Sequence, residues 1–306
     1  MSFENIDWIW KDGEFLPWKE ANVHVSAHGL HYGSGVFEGI RCYKTDKGAA
    51  VFRLKEHFER FFESAAVYGF EIPFAQEELC EATAELIRRN GFESCYIRPI
   101  CFLGSSTLGV HPAKCPVEVS IMAWNWAAYL GQEGLDKGIR VTVSPWRKFH
   151  SSMLPTTAKA CGQYLNSILA VREAFARGFD EALLLDINGN LAEGSGENLF
   201  VIKDGKVFTN NADDSILMGI TRSAVLQITE KLGIEKNVKP LELDDLLEAD
   251  EAFFTGTAAE VTPIREVDGR KIGSGSRGEI TAKIQQTFFD VTAGRDPRFS
   301  DWLYAV

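Results

Sequence analysis

The chain has 306 residues, of which 45% are hydrophobic and 25% charged, and a formal net charge of -11. That length exceeds one ordinary core, so one large or two smaller domains are expected. The acidic balance, with no basic run or basic-aromatic stripe, argues against a nucleic-acid surface. No apolar stretch is long enough to cross a bilayer. The N-terminus MSFENIDWIW lacks the basic start and apolar core of a signal peptide, so a cytoplasmic location is expected.

In chain order, Asp12-Gly13 between Ile9-Trp10 and Phe15-Leu16 signals a short hairpin. Asn22 to Val25 alternates as a strand, and after a polar, glycine-bearing turn Gly35 to Tyr43 reads as another. Arg53 to Tyr68 has helical spacing, with Leu54, Phe58, Phe61 or Phe62, Ala65 and Tyr68 on one apolar face. Glu77 to Arg89 is a second helix, stopped by Asn90-Gly91. Ser94 to Phe102 and Val117 to Trp124 are apolar strands. Together these give a smaller N-terminal α/β domain over residues 1–126.

Residues 127–138 contain Gly131, Gly134 and Gly138 and read as a connector. A larger C-terminal domain, 139–306, follows. Its expected strands are Ile139 to Ser144, Glu181 to Asp186, Asn198 to Ile202, Val207 to Thr209 and Glu251 to Thr255. Its expected helices are Gly162 to Arg177, Thr221 to Leu232, Leu243 to Asp250 and Gly278 to Thr292. Strands and helices mix without a regular βαβ repeat, which makes the class α+β or mixed α/β.

Cys42, Cys80, Cys95, Cys101, Cys115 and Cys161 form no CxxC pair and suit reduced thiols. His24, His28 and His31 cluster without a cysteine or carboxylate at ligand spacing, so no metal site is expected.

Lys159 is the one charge in Leu154-Pro-Thr-Thr-Ala-Lys-Ala-Cys-Gly-Gln-Tyr-Leu-Asn166, among the small residues Thr157, Ala158, Ala160, Cys161 and Gly162. Small neighbours leave room for a flat ligand, and a desolvated lysine offers a neutral amine for Schiff-base chemistry. An ordinary, partly exposed lysine beside a turn is the alternative. Gly219-Ile-Thr-Arg222 opens a helix where Thr221 can cap and free N–H groups can take an anion. Gly256-Thr-Ala-Ala-Glu260 offers the Thr257 hydroxyl and the N–H groups of Thr257 and Ala258 to a second anion. Glu193 and Glu197 share parity on one strand, so a bulge at Gly194 or Gly196 is needed to separate them. Either carboxylate suits a protonated ring nitrogen. Tyr96 and Arg98 share a face of an apolar strand, where an arginine needs an anionic partner.

With His31-Tyr-Gly-Ser-Gly-Val-Phe-Glu-Gly-Ile-Arg41, these segments resemble the class IV, pyridoxal-phosphate-dependent aminotransferases, and within them the branched-chain amino acid aminotransferases. The resemblance covers nearly the whole chain. It implies a two-domain fold-type IV enzyme, similar to D-amino acid aminotransferase, whose C-terminal domain has a barrel-like sheet and carries the lysine. It implies pyridoxal 5'-phosphate as cofactor and ping-pong transfer of the amino group of L-leucine, L-isoleucine or L-valine to 2-oxoglutarate.

By the same resemblance Lys159 is the Schiff-base lysine, Glu193 the pyridine-nitrogen partner and Tyr164 the tyrosine at the phenolic oxygen. Arg60, Gly219, Ile220, Thr221, Gly256 and Thr257 match the cofactor cup. Tyr96 and the Thr257-Ala258 turn match the clamp for the substrate α-carboxylate. Tyr32, Phe37, Arg98 and Tyr129 resemble the side-chain pocket. Leu108-Gly109-Val110 resembles a loop supplied by a neighbouring subunit, so at least a homodimer is expected. Ser34-Gly35 and Leu108 depart from the commoner pattern and bear on side-chain preference. The rival readings are a D-amino acid or (R)-amine transaminase, an aminodeoxychorismate lyase, and a non-catalytic cofactor-binding protein.

Overall fold

Cys95, Ile97, Pro99, Cys101 and Leu103 are all buried, every second residue of the strand Cys95–Leu103. That alternation is what one sheet face against a core requires. The computed structural model describes residues 3, 6–112, 114–126 and 130–306. It divides into two compact units.

The first unit comprises Met1–Ala127, Ala158–Tyr164 and Val291–Val306. Its strands are β1 (Trp8–Lys11), β2 (Glu14–Pro17), β3 (Gly35–Phe37), β4 (Ile40–Thr45), β5 (Gly48–Phe52), β6 (Cys95–Leu103) and β7 (Val117–Trp124). They form an eight-stranded sheet with Leu303–Ala305, which pairs with β5 at one edge. Its helices are α1 (His28–Tyr32), α2 (Leu54–Val67) and α3 (Gln76–Arg89). On α2 the buried apolar residues are Leu54, Phe58, Phe61 and Ala65, and this helix packs on α3 and β3.

The second unit comprises Ala128–Thr157 and Leu165–Asp290. Its strands are β8 (Ile139–Val143), β9 (Glu181–Leu185), β10 (Leu191–Gly194), β11 (Asn198–Lys203), β12 (Lys206–Thr209), β13 (Lys236–Val238), β14 (Glu251–Gly256), β15 (Glu260–Val267) and β16 (Arg270–Lys271). The order β10-β9-β8-β15-β14-β11 closes on itself because β10 also pairs with β11, giving the expected barrel, here of six strands. Val141, Leu183, Leu185, Leu191, Leu199, Val201, Phe254 and Ile264 belong to its apolar cluster. Fully burying one such side chain contributes ~1.5–3 kcal/mol. The unit's helices are α4 (Gly131–Lys137), α5 (Tyr164–Ala176), α6 (Ile220–Lys231), α7 (Leu243–Leu247) and α8 (Glu279–Thr292). Tyr164 and the end of α8 are grouped with the first unit.

Several sequence expectations need correction. Asn22 to Val25 is not a strand; Val23 and Val25 are exposed, and no strand among the described residues pairs with them. The strand expected over Gly35 to Tyr43 is two strands in one register on β6. It breaks at Glu38-Gly39, opposite Pro99, which has no N–H to donate; Glu38 N still donates to the Pro99 carbonyl at 2.9 Å. The connector contains α4, bounded by Gly131 and Gly138, which take positive φ. β5 and the eight-residue β15, which contains Pro263, were not anticipated. No helix among the described residues is long and apolar enough to cross a membrane.

Candidate active site

In the first unit the small residues around Lys159 have structural duties. Ala158 and Ala160 are buried, and Ala160 bridges to Val36. Gly33, with φ 65°, ends α1, and a Cβ there would meet the Gly162 Cα at 2.7 Å, so only glycine fits. Phe37 N donates to the Lys159 carbonyl at 3.0 Å, and Lys159 N donates to Ser64 Oγ at 3.0 Å. The lysine is thus fixed by backbone contacts to β3 and α2.

Its side chain donates from Nζ to the Tyr164 hydroxyl at 2.7 Å. Nζ also stands 5.1 Å from the Phe37 ring centre and 5.2 Å from that of Tyr164. Lys159 as a whole residue is half-buried. Desolvation pushes its pKa below the ordinary lysine value, Arg60 and Arg98 push the same way, and Glu38 opposes them.

Arg60, which reads as a surface helix residue without context, is buried. Its Nε and Nη2 donate to Glu38 Oε1 and Oε2 at 2.7 and 2.9 Å. Burial pushes the Glu38 carboxyl up, but Arg60 and His57 outweigh it and hold the group well below the usual carboxylate range. Glu38, His57 and Ser64 were not among the expected site residues. The signal for Glu38 was a charge inside the otherwise apolar run Val36-Phe37-Glu38-Gly39-Ile40.

Tyr96, Arg98 and Phe37 come together on β6 and β3. The Arg98 guanidinium stands 4.7 Å from the Phe37 ring centre, 5.5 Å from that of Tyr96 and 5.9 Å from that of Trp124. Its Nε is buried without a hydrogen-bond partner among the described residues. Such an orphaned donor suits an anion that arrives from solution. Gly39 lets the Tyr96 hydroxyl approach the backbone, where any Cβ would collide with it.

Tyr32, Leu108 and Gly109 form a separate cluster. The Tyr32 hydroxyl donates to the Leu108 carbonyl at 2.6 Å, and His28 Nε2 is 3.0 Å from the Gly109 carbonyl. Val110 is 81% exposed. Tyr129 lies outside the described residues.

In the second unit Glu193 and Glu197 are separated by a turn rather than by a bulge within one strand. Glu193 lies on β10 opposite Asn198, while Glu197 lies in the turn and accepts from Gly196 N at 3.0 Å. Glu193 accepts from Lys148 Nζ at 2.6 Å, Leu217 N at 3.0 Å and Asn198 Nδ2 at 3.3 Å. Lys148 was not anticipated.

The contact with Leu217 ties Glu193 to the segment leading into α6. There Gly219 is the extended N-cap residue, Ile220 begins the helix and Thr221 is buried in its first turn, so Thr221 is not the cap. Gly256 ends β14, and Thr257 and Ala258 form the turn into β15. A Cβ on Gly256 would approach the Gly196 carbonyl at 3.2 Å, which brings that turn beside the Glu197 turn.

Comparison with known proteins adds independent observations. Residues 35–267 match the family model "Amino-transferase class IV". The chain is 48% identical to a branched-chain-amino-acid aminotransferase of Pseudomonas aeruginosa, with 97% of each chain covered. It superposes with a TM-score of 0.95 on a T.th. branched-chain amino acid aminotransferase with pyridoxamine 5'-phosphate, at 49% identity and 98% coverage of each chain. For the T.th. enzyme complexed with N-(5'-phosphopyridoxyl)-L-glutamate the TM-score is 0.93 and the identity 47%, again with 98% of each chain covered.

Proposed function

The chain belongs to the class IV aminotransferases, and from that premise we propose that it works as its relatives do, as a branched-chain-amino-acid aminotransferase with pyridoxal 5'-phosphate. It moves the amino group of L-leucine, L-isoleucine or L-valine to 2-oxoglutarate and gives the branched 2-oxo acid and L-glutamate. The observation that carries this reading is the lowered pKa of Lys159 beside the Tyr164 hydroxyl, in a chain of this family.

Each unit, taken by itself, carries groups of the kind the cofactor needs: the first an amine, a phenol and a buried guanidinium, the second a buried carboxylate. Once bound, the cofactor supplies an electron-accepting ring that stabilises the carbanion left when the substrate Cα loses its proton.

Lys159 would hold the cofactor and then, as a free amine, move the proton at the substrate Cα. Glu193 would keep the ring nitrogen protonated, and Tyr164 would donate to the phenolic oxygen. Arg60, the α6 start at Gly219, Ile220 and Thr221, and the Gly256-Thr257 turn would take the phosphate. Tyr96 with Thr257 and Ala258 would take the substrate α-carboxylate. Phe37, Tyr32 and Tyr129 would wall the side-chain pocket, and Arg98 would accept the distal carboxylate of glutamate.

A homodimer or larger homo-oligomer accompanies this reading. Leu108 and Val110 expose apolar surface, and so do Leu165, Ile168, Leu169 and Phe175 on α5. Exposed apolar surface on each of these elements is what a partner copy would cover. A fully active monomer on a sizing column would argue against it. The reaction is tested by spectra of the purified enzyme with L-leucine, L-glutamate and their D-forms. Conversion by the L-forms and not the D-forms supports the reading, whereas preference for the D-forms favours the D-amino acid transaminase.

A further inference from the structure

We infer that Glu38 is a positioning residue: it orients the Arg60 guanidinium as a phosphate ligand and balances its charge beside Lys159. This rests on the reading of Arg60 as a phosphate ligand.

Glu38 has no exposed surface. It sits where the β3–β4 line is interrupted opposite Pro99, and its backbone is held there by the bond to the Pro99 carbonyl. Both carboxylate oxygens are used. Oε1 accepts from Arg60 Nε at 2.7 Å. Oε2 accepts from Arg60 Nη2 at 2.9 Å, from His57 Nδ1 at 2.7 Å and from Gly39 N at 3.2 Å.

Two parallel bonds from one guanidinium edge fix its plane as well as its position, which a single bond cannot do. His57, one turn before Arg60 on α2, braces the carboxylate from the side. Burial and the neighbouring Arg60 charge keep this imidazole harder to protonate than usual, although Glu38 itself opposes that. The carboxylate also offsets the Arg60 charge felt by Lys159. A buried cation held by an equally buried anion is costly as a stability device alone. An arrangement that aims the cation at a ligand gives it a use.

The test compares dissociation constants of the apoenzyme for pyridoxal 5'-phosphate and for pyridoxal, which lacks the phosphate. The ratio of the pyridoxal to the pyridoxal-phosphate dissociation constant isolates the phosphate contribution. Arg60→Gln should weaken pyridoxal phosphate strongly and pyridoxal little. Glu38→Gln should lower the ratio about tenfold while pyridoxal affinity is kept. In the double variant, Glu38→Gln should add nothing to the loss from Arg60→Gln, because Glu38 acts through Arg60.

If Arg60→Gln weakens both ligands equally, the phosphate reading of Arg60 fails. If Arg60→Gln is selective for the phosphate but Glu38→Gln leaves the ratio unchanged, or the two losses simply add, the positioning role of Glu38 is overturned. Should Glu38→Gln not fold, Glu38→Asp replaces it. That variant keeps the charge but is too short to span both guanidinium nitrogens, so a smaller drop in the ratio is expected, and an unchanged ratio again overturns the role.

Discussion

Lys159 Nζ and the Tyr164 hydroxyl meet at 2.7 Å, five residues apart where a short helical turn runs into α5. The bond aims the amine and gives the phenol a fixed partner. Tyr164→Phe should slow turnover by roughly threefold to tenfold, the equivalent of one net hydrogen bond of ~0.5–1.5 kcal/mol. Steady-state kinetics with L-leucine check this. Unchanged kcat and KM would mean that the tyrosine does not serve the reaction.

Glu193→Gln should still bind the cofactor but turn over about tenfold to a hundredfold more slowly. An amide cannot supply the negative charge that holds the ring nitrogen protonated, and a charge-assisted bond is worth ~1.5–3 kcal/mol. The Lys148 ammonium would also lose its charged partner. Near-normal turnover at full occupancy would contradict this role and move attention to Glu197.

Arg98→Ala should harm the L-glutamate half-reaction more than the L-leucine one. The side chain lies over Phe37 and Tyr96 and has a buried Nε without a partner among the described residues, which a glutamate carboxylate would satisfy. Losing that charged contact should cost the glutamate reaction about tenfold to a hundredfold. Equal losses in single-turnover measurements with both substrates would make Arg98 structural.

Glu181 on β9 predicts a pH dependence outside the active chemistry. Burial raises its pKa to about 7, although the Ala182 and Ser195 N–H groups and the Ser195 hydroxyl pull it down. Its unfolded value is the ordinary 4.5, so between 4.5 and about 7 the folded state holds the extra proton. Stability therefore falls as pH rises through that window and is level above it. Glu181→Gln should remove the slope, so its advantage over the unaltered protein should be on the order of 2–3 kcal/mol larger at pH 8 than at pH 5. Denaturant unfolding at the two pH values measures this, and parallel behaviour of both proteins would refute it.

The sequence pointed to Lys159, Glu193 and the two glycine turns because each is marked locally. Lys159 stands alone among small residues, and the glycines at 219 and 256 mark turns. It did not carry the pairing of Glu38 with Arg60, which lie 22 residues apart and meet only when α2 packs on β3. Lys148 was hidden for the same reason, because only the barrel brings it to Glu193. Strand breaks were also tertiary: Pro99 on β6 interrupts its neighbour, not its own strand. The lysine segment was read with the C-terminal domain by chain order, whereas its contacts group Ala158–Tyr164 with the first unit.

Borohydride reduction followed by peptide mapping tests the central claim most directly. Reduction fixes the cofactor to the lysine that holds it. The label should fall on Lys159 in the resting enzyme. It should disappear when excess L-leucine is added first, because the amino group then passes to the cofactor and frees the lysine, and 2-oxoglutarate should restore it. Label on another lysine, or label on Lys159 that L-leucine leaves untouched, would contradict the account.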